Sequence, residues 1–381
     1  MGDTKNKRFL TAAFTLSGTI VGAGILGLPY VFAQSGFFIG MFWILFLGMI
    51  MILINLYMGE ITLRTKNIHH LPGYAERFIG EWGKRIMMGA IIFGIYSALL
   101  AYLIGEGQSL SQLFTGSIES SFFFGVFFWL IMVTFLQGGL NDLKKLEYWG
   151  VWGIIFVVFI AFILLFPQVS VDNLTYIDVP QIFLPFGVVL FSLIGFLSIP
   201  ELRRELGRDK ELMKKSILLG AFVPVILYII LSLVFVGVAG DELKQVATLS
   251  FSGGVGNVLL ILGIFTMFTS YFVLSFALKD YFFYDLKRRK LSFFFTSVFP
   301  LALYLIVYFF DLAGFVTVLG LGGVVTGGVA GILILIMNLK AKEIGDRKPE
   351  YSIPLNKIAI GILTLIFIVG IFFEFFGSLI F

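Results

Sequence analysis

A glycine-rich stretch in the first apolar segment has the residue pattern most suggestive of a binding site. It reads Gly18-Thr19-Ile20-Val21-Gly22-Ala23-Gly24-Ile25-Leu26-Gly27-Leu28-Pro29. Glycine and proline both disfavour a continuous helix, and hydrocarbon cannot satisfy the backbone groups that a broken helix exposes. A break here must therefore be packed in protein or line a watery cavity, where its N–H and C=O groups can bind a ligand.

Taken alone, this stretch allows two interpretations. An interrupted first span is typical of transporters whose binding site is built from backbone groups. Alternatively, the glycines serve only close helix packing, since Gly18 and Gly22 form a small-xxx-small pair. The elements in the rest of the chain decide between the two.

The composition is that of an integral membrane protein. Of the 381 residues, 59% are apolar and 13% charged, and the mean hydropathy is +1.01. A soluble domain carries about 25% charged residues. We expect no signal peptide, because the segment before the first apolar run is short and polar. The chain has no cysteine, and its two histidines are adjacent in a polar loop, so we expect no enzyme activity.

The hydropathy pattern predicts eleven transmembrane helices within a single transmembrane domain that spans residues 1–381. A helix needs about 20 apolar residues to cross the bilayer. The candidate spans are 9–33, 38–63, 85–113, 120–139, 147–167, 181–202, 213–238, 255–284, 291–310, 314–338 and 356–380.

The basic residues predict the orientation in the cytoplasmic membrane. With the N-terminus inside, every lysine and arginine except Lys244 falls in the N-terminal segment or in an inner loop. This is the positive-inside pattern, and it predicts a C-terminus outside at Phe381. The sequence pI is about 9.0, but the charge distribution favours anionic membrane lipid as a partner over nucleic acid.

A second interrupted span supports the transporter interpretation of the first. Ten of the eleven helices can form two sets of five with opposite orientation, over 9–167 and 181–338, with an extra peripheral helix over 356–380. Such an inverted repeat predicts a break in span 6 that matches the one in span 1. Span 6 has glycine and proline there: Phe191-Ser192-Leu193-Ile194-Gly195-Phe196-Leu197-Ser198-Ile199-Pro200. We therefore predict an all-α membrane protein with discontinuous helices 1 and 6.

Few polar side chains lie within the other spans. Tyr102, Glu106 and Ser109 are four and three residues apart in span 3, so they share a helix face. A glutamate that faces lipid is costly, and we expect this face to point into the bundle. Two patterns are assigned to structure alone: an ion pair between Glu60 and Arg64, and a packing stripe of Gly320, Gly323, Gly327 and Gly331.

Three stretches of the sequence resemble a known family. They are Gly18 to Tyr30 in span 1, Ala101-Tyr102 with Gly105 and Gly107 in span 3, and Ser270 to Phe282 in span 8. They are similar to the amino acid/auxin permease group of the amino acid-polyamine-organocation superfamily, above all to its bacterial hydroxy- and aromatic-amino-acid permeases. The resemblance implies a five-plus-five inverted repeat of the LeuT type. It also implies a cation-coupled symporter, a secondary active transporter that moves an amino acid by alternating access.

The chain departs from that family at three positions. Gly18 stands where sodium-coupled members often carry asparagine, Glu106 where bacterial members tend to have glycine, and Phe196 near the usual histidine. The coupling ion is therefore left open between H⁺ and Na⁺, and no further cofactor is expected. The sequence specifies neither the amino acid nor the oligomeric state.

An amino acid substrate needs partners for both of its charges. Backbone N–H groups at the start of the second half of span 1 suit the α-carboxylate. Carbonyls at the ends of the first halves of spans 1 and 6 suit the α-ammonium, and two aromatic side chains can cover the substrate. The predicted substrate-binding residues are Thr19, Ile20, Gly22, Ala23, Gly24, Tyr102, Ser192, Gly195 and Phe196.

A coupling cation has two predicted positions. A sodium ion would lie between carbonyls of Gly18 and Val21 and the oxygens of Thr266, Thr269 and Ser270. A proton would instead be carried or gated by Glu106; the alternative is that Glu106 reaches an aqueous vestibule and only steers cations. The alternative function is a passive amino acid uniporter or exchanger, or a channel, although a channel should show a repeated filter or charged rings.

Overall fold

The computed structural model describes residues 2–22, 24–138, 153, 155–156, 158–280 and 292–380, and all regular structure among them is helical. The helices of the first half are α1 (Gly2–Ile20), α2 (Gly24–Ser35), α3 (Phe37–Leu63), α4 (Leu71–Ile79), α5 (Glu81–Thr115), α6 (Ser121–Gly138), α7 (Val158–Gln168) and α8 (Val171–Thr175). Those of the second half are α9 (Leu184–Ser192), α10 (Ile199–Leu206), α11 (Met213–Ala239), α12 (Gly253–Asp280), α13 (Phe294–Phe309), α14 (Phe315–Ile344) and α15 (Lys357–Ile380).

The helices confirm a multi-pass membrane protein. In the described part of the chain, seven helical segments are long and apolar enough to cross a membrane, and α1 with α2 forms an eighth, bent span. Shorter apolar helices, α6, α7 and α13, occupy the positions predicted for spans 4, 5 and 9. Residues 139–152 and 281–291, where span 5 was predicted to begin and span 8 to end, lie outside the described residues.

Both predicted interruptions are present. The axes of α1 and α2 differ by 56° across the junction between Ile20 and Gly24. In span 6, α9 ends at Ser192, and a 3₁₀ turn over Phe196–Ser198 precedes α10. A β-carbon at Gly195 would lie only 2.7 Å from Leu16 Cδ1 on α1, so this glycine allows the two breaks to pack together.

The two broken spans pack as a pair, with α11 beside them. Helix α2 lies against α9 and α11, and α1 lies against α11. The hydroxyl of Ser17 donates to the Gly220 carbonyl at 2.8 Å, which fixes α1 on α11. Helix α5 packs on α6, α12 and α14 and brings its polar face to the broken pair through Tyr102.

The loops separate into two groups, as the predicted topology requires. Loops predicted to lie inside meet at one end of the bundle, where Arg8 pairs with Asp209 at 2.9 Å. Loops predicted to lie outside meet at the other end, where the Asp178 N–H donates to the Ser35 carbonyl at 2.9 Å. The contacts agree with the predicted grouping of the loops and leave the direction of insertion as a prediction.

A segment over residues 345–356, here called the inner strap, crosses the end of α3. The predicted ion pair between Glu60 and Arg64 is confirmed at 2.8 Å. The same carboxylate accepts hydrogen bonds from Ser352 Oγ at 2.7 Å and from the Ile353 N–H at 3.0 Å. Glu60, buried at the end of α3, is therefore fully engaged in holding the strap.

The glycines of α14 serve packing, as predicted. A β-carbon at Gly327 would lie 2.8 Å from Leu190 Cγ, and one at Gly331 would lie 2.9 Å from the Phe367 ring. A β-carbon at Gly323 would overlap the Gly187 carbonyl. These contacts let α14 approach α9 on one side and α15 on the other.

The C-terminal helix, α15, is peripheral as predicted, but it also packs against the first half of span 6. Many of its side chains are exposed at the outer surface. On its inner face, the Phe373 ring stacks on Phe183 with 3.9 Å between centroids, and Gly370 leaves room for the Phe186 ring. The sequence pattern had given this helix no such contact with α9.

Candidate substrate site at the two helix breaks

The ends of α1 and α9 meet at one hydroxyl group. Tyr228 Oη of α11 lies 2.8 Å from the Ile20 carbonyl and 3.0 Å from the Ser192 carbonyl. The side chain is fully buried. A phenol has one proton to donate, so the two carbonyls share it. Since carbonyls at a helix C-terminus carry the negative end of the dipole, two such ends converge here on a single donor.

Sequence reasoning missed Tyr228. The residue is a lone phenol in an apolar run four positions after Pro224, and a buried phenol usually finds a hydrogen-bond partner. That signal could have marked the residue. It could not have identified the acceptors, because the acceptors are backbone groups on two other spans.

The backbone just before and at the start of α2 lies close to its neighbours. The Tyr102 hydroxyl is 3.2 Å from the position of a β-carbon at Gly22. A β-carbon at Gly24 would overlap Ser192 Oγ and lie 2.8 Å from Ser192 Cα. The N–H groups in the first turn of a helix have no partner within the helix. Here the Ile25 N–H donates to the Gly22 carbonyl at 3.3 Å, and Gly24 lies against Ser192 at the end of α9. Ala23, predicted to be part of the same site, lies outside the described residues.

The other predicted substrate residues have local partners. The Gly195 carbonyl accepts hydrogen bonds from the Ser198 N–H at 3.1 Å and from Ser198 Oγ at 3.0 Å. The Thr19 hydroxyl donates to the Thr15 carbonyl at 2.9 Å. Phe196 is fully buried at the start of the second half of span 6. Among the predicted carbonyls, those of Ile20 and Ser192 are therefore the pair that converges.

The structure brings one of the predicted sodium ligands close to the first break. Thr266 lines a small cavity together with Ile25 and Leu26 of α2. Its hydroxyl donates to the Leu262 carbonyl at 2.9 Å, and Thr269 bonds back to its own helix in the same way. Both oxygens retain lone pairs, so this geometry is compatible with a cation ligand and with simple back-bonding.

The remaining predicted sodium ligands are not brought to that cavity. Thr269 and Ser270 are partly buried on α12 and do not line it. Gly18 and Val21 lie at the end of α1, where the Val21 N–H donates to the Ser17 carbonyl at 2.9 Å. The sodium site therefore stays a prediction.

Glu106 points into the bundle, as its helix face predicts. Its side chain is fully buried on α5 and faces the backbone of Phe268 on α12. Within the described residues, neither carboxyl oxygen of Glu106 has a partner in hydrogen-bonding geometry. The buried hydroxyl of Ser109 also has no hydrogen-bond partner among these residues. An ionised carboxylate in such surroundings costs at least ~2.5 kcal/mol even on the milder insertion scale.

Comparison with known proteins gives one family and several relatives. The tryptophan/tyrosine permease family matches residues 5–374. Glutamine transporter 2 of Aliivibrio fischeri is 24% identical over 95% of this chain and 97% of its own length. Tyrosine-specific transport system 1 of Haemophilus influenzae is 25% identical over 62% of this chain and 60% of its own length, and transport system 2 of the same organism is 22% identical over similar shares.

Proposed function

The chain belongs to the tryptophan/tyrosine permease family, and we propose that it is a cation-coupled symporter for a neutral amino acid in the cytoplasmic membrane. The family and the relatives are transporters rather than enzymes. The relatives are named for glutamine and for tyrosine, so these two amino acids are the first to test as substrates.

The observation that carries this proposal is the meeting of the two breaks. The Ile20 and Ser192 carbonyls converge at Tyr228, and the first turn of α2 begins beside them. One end of this junction offers negative dipole ends to an α-ammonium, and the other offers N–H groups to an α-carboxylate. Both charges of a zwitterion find partners there without a charged side chain.

The transport cycle proposed for this arrangement is rocking of one bundle against the rest. We take the fold to be a five-plus-five inverted repeat of the LeuT type, as the sequence resemblance implies. In that arrangement the moving bundle would consist of α1, α2, α3, α9, α10 and α11, and the support would consist of α5, α6, α12 and α13. In the described state, Tyr228 occupies the carbonyls that an α-ammonium would need. Binding of the substrate therefore displaces or shares this hydrogen bond, which links occupancy of the site to the positions of both broken helices.

Recognition of both charges is tested with substrate analogues. Binding of labelled tyrosine and glutamine to purified protein identifies which one serves as the probe. For a tyrosine probe, the competitors are tyramine, which lacks the carboxylate, and N-acetyltyrosine, which lacks the ammonium. We expect both to compete at least tenfold less well than tyrosine. Equal competition by either analogue would show that the charge it lacks is not recognised.

For the coupling ion we propose a proton on Glu106, because this carboxyl is buried against α12 without a basic partner among the described residues. Glu106→Gln mimics the protonated form and cannot titrate. In proteoliposomes this variant should exchange substrate at the wild-type rate but lose uptake driven by a pH gradient. The matched control is Glu119→Gln in an exposed loop. Intact pH-driven uptake in Glu106→Gln would exclude Glu106 as the group that carries the coupling proton.

A further inference from the structure

A second acidic side chain, partly buried, lies against the outer half of the bundle, away from the substrate site. Glu374 is the one ionisable residue of α15 beyond Lys357. Its carboxyl reaches the seam between α9 and α14, where both oxygens occupy space that side chains would otherwise take. A β-carbon at Gly320 would overlap Glu374 Oε1, and a β-carbon at Gly187 would overlap Glu374 Oε2.

Contacts of α9, α14 and α15 together position this carboxyl in the seam. Gly187 lies in the first turn of α9, where the backbone faces Glu374, and a carboxylate is stabilised at the positive end of a helix dipole. Gly320 of α14 is 2.8 Å from the position of a β-carbon at Gly187, so the two glycines face each other across the carboxyl. Stacking of Phe373 on Phe183 fixes α15 beside the same turn.

Charged partners for Glu374 are absent from the described elements that pack on α15. Helix α9 and residues 315–339 of α14 contain no ionisable side chain. The ionisable residues of α14, Lys340, Lys342 and Glu343, lie at its opposite end. Asp178, in the loop before α9, accepts instead from Gln181 Nε2 at 3.1 Å.

We propose that Glu374 is a second proton-binding site and that its protonation state controls the movement of α9. When ionised, the carboxylate holds the first turn of α9 against α14 and α15 through the dipole of that helix. When a proton binds to a carboxylate oxygen, the negative charge disappears and this attraction weakens. Because α9 ends at the substrate site with Ser192, a looser α9 speeds the conformational change. This role rests on the transport cycle proposed above.

The first test uses a readout that does not require transport. Amide hydrogen exchange of residues 184–192, corrected for its intrinsic pH dependence, is compared in the wild-type protein and in Glu374→Gln. At pH 8 we expect at least threefold faster exchange in Glu374→Gln, since glutamine mimics the neutral form. At pH 5.5 the exchange rates of residues 184–192 should be the same in the two proteins. Equal exchange at both pH values would overturn the proposal, whether or not the protein transports amino acids.

The second test measures substrate exchange without gradients in the Glu106→Gln background, so that the proposed coupling carboxyl does not titrate. Exchange should quicken at least threefold from pH 8 to pH 5.5 and should become fast and independent of pH after Glu374→Gln is added. Asp311→Asn in an exposed outer loop serves as the matched control. A pH dependence that survives in the double variant would contradict the role of Glu374. An exchange rate near zero in every protein, with normal hydrogen exchange results, would count against the proposed transport function instead.

Discussion

At the residue scale, Gly24 is the position where a single β-carbon should weaken the substrate site most. Alanine at this position would overlap Ser192 Oγ and push α2 away from α9, so the N–H groups of α2 could no longer reach a carboxylate. We expect Gly24→Ala to weaken substrate binding at least tenfold in an equilibrium binding measurement. Gly89→Ala is the matched control, because a β-carbon there meets nothing within 4 Å.

Comparison of Gly24→Ala with Gly89→Ala distinguishes a role of the first break in substrate binding from a role in helix packing alone. If Gly24→Ala binds substrate as tightly as Gly89→Ala, the glycines of the first break serve helix packing alone. Both proteins should insert and remain monodisperse, since alanine is the best helix former.

Tyr228 supports a different prediction, because its hydroxyl competes with an α-ammonium for two carbonyls. Tyr228→Phe keeps the ring and removes the competitor. Substrate affinity should rise and turnover should fall, as tight binding in the ground state slows the later step. The loss of the shared donor should also lower the free energy of unfolding by about 1–3 kcal/mol.

The control for this variant is Tyr304→Phe, which removes a buried hydroxyl bonded to the Ser121 carbonyl at 3.3 Å on another part of the bundle. It should change neither substrate affinity nor turnover. A loss of affinity in Tyr228→Phe would contradict the competition and would indicate that the hydroxyl only positions the carbonyls.

At this scale the sequence reveals the breaks but only part of what surrounds them. Gly22, Gly24 and Gly195 mark both interruptions, since glycine disfavours a continuous helix within a membrane span. The role of Tyr228 depends on which backbone groups three separate spans bring together, and no local pattern encodes that. The local bonds of Gly195 with Ser198 likewise depend on the 3₁₀ turn, which periodicity alone does not predict.

At the scale of elements, the inner strap is held by charge. The Lys66 N–H donates to Asp346 at 3.0 Å and Arg77 pairs with the same carboxylate at 2.5 Å. Both contacts lower the pKa of Asp346 below its ordinary value of 3.8. Since the folded protein binds this proton more weakly than the unfolded chain, the stabilisation is complete above pH 3.8 and is lost as the pH falls through the lower folded pKa.

Asp346→Asn should therefore loosen the strap at neutral pH and leave it unchanged under acid conditions. Limited proteolysis within residues 345–356 should be faster in Asp346→Asn than in the wild-type protein at pH 7. The difference should shrink as the pH is lowered below 3.8, where an acid-active protease is used. Asp311→Asn, which is exposed at the other end of the bundle, is the control. Equal cleavage of the two variants at pH 7 would show that the strap does not depend on this carboxylate.

Secondary structure follows from the sequence more readily than contacts between elements. Long apolar runs predict the helices, and the glycines predict where spans 1 and 6 are interrupted, whereas α2 continues through Pro29. The packing of α15 against α9 could not be predicted from the sequence. Gly370, Phe373 and Glu374 resemble ordinary residues of a lipid-facing helix, and their contacts become evident only when α9 lies beside them. Contacts between distant spans depend on packing, to which hydropathy is insensitive.

At the scale of the whole molecule, the distribution of basic residues predicts the orientation. Single cysteines can report it cleanly, because the chain has none of its own. Asp172→Cys and Lys348→Cys are both at exposed positions. In intact cells, an impermeant thiol reagent should label the first and should reach the second only after the membrane is opened. The reverse pattern would overturn the orientation.

Uptake into proteoliposomes with imposed gradients decides whether the molecule is a coupled amino acid transporter. Labelled tyrosine and glutamine are supplied outside, and pH and sodium gradients are varied separately. For a proton-coupled transporter, one of them accumulates inside above its external concentration when the outside is acidic, and the accumulation collapses when a protonophore is added. Accumulation driven by sodium alone would move the coupling to the predicted sodium site. Uptake that stops at the external concentration under every gradient would contradict coupled transport and leave a passive uniporter or exchanger.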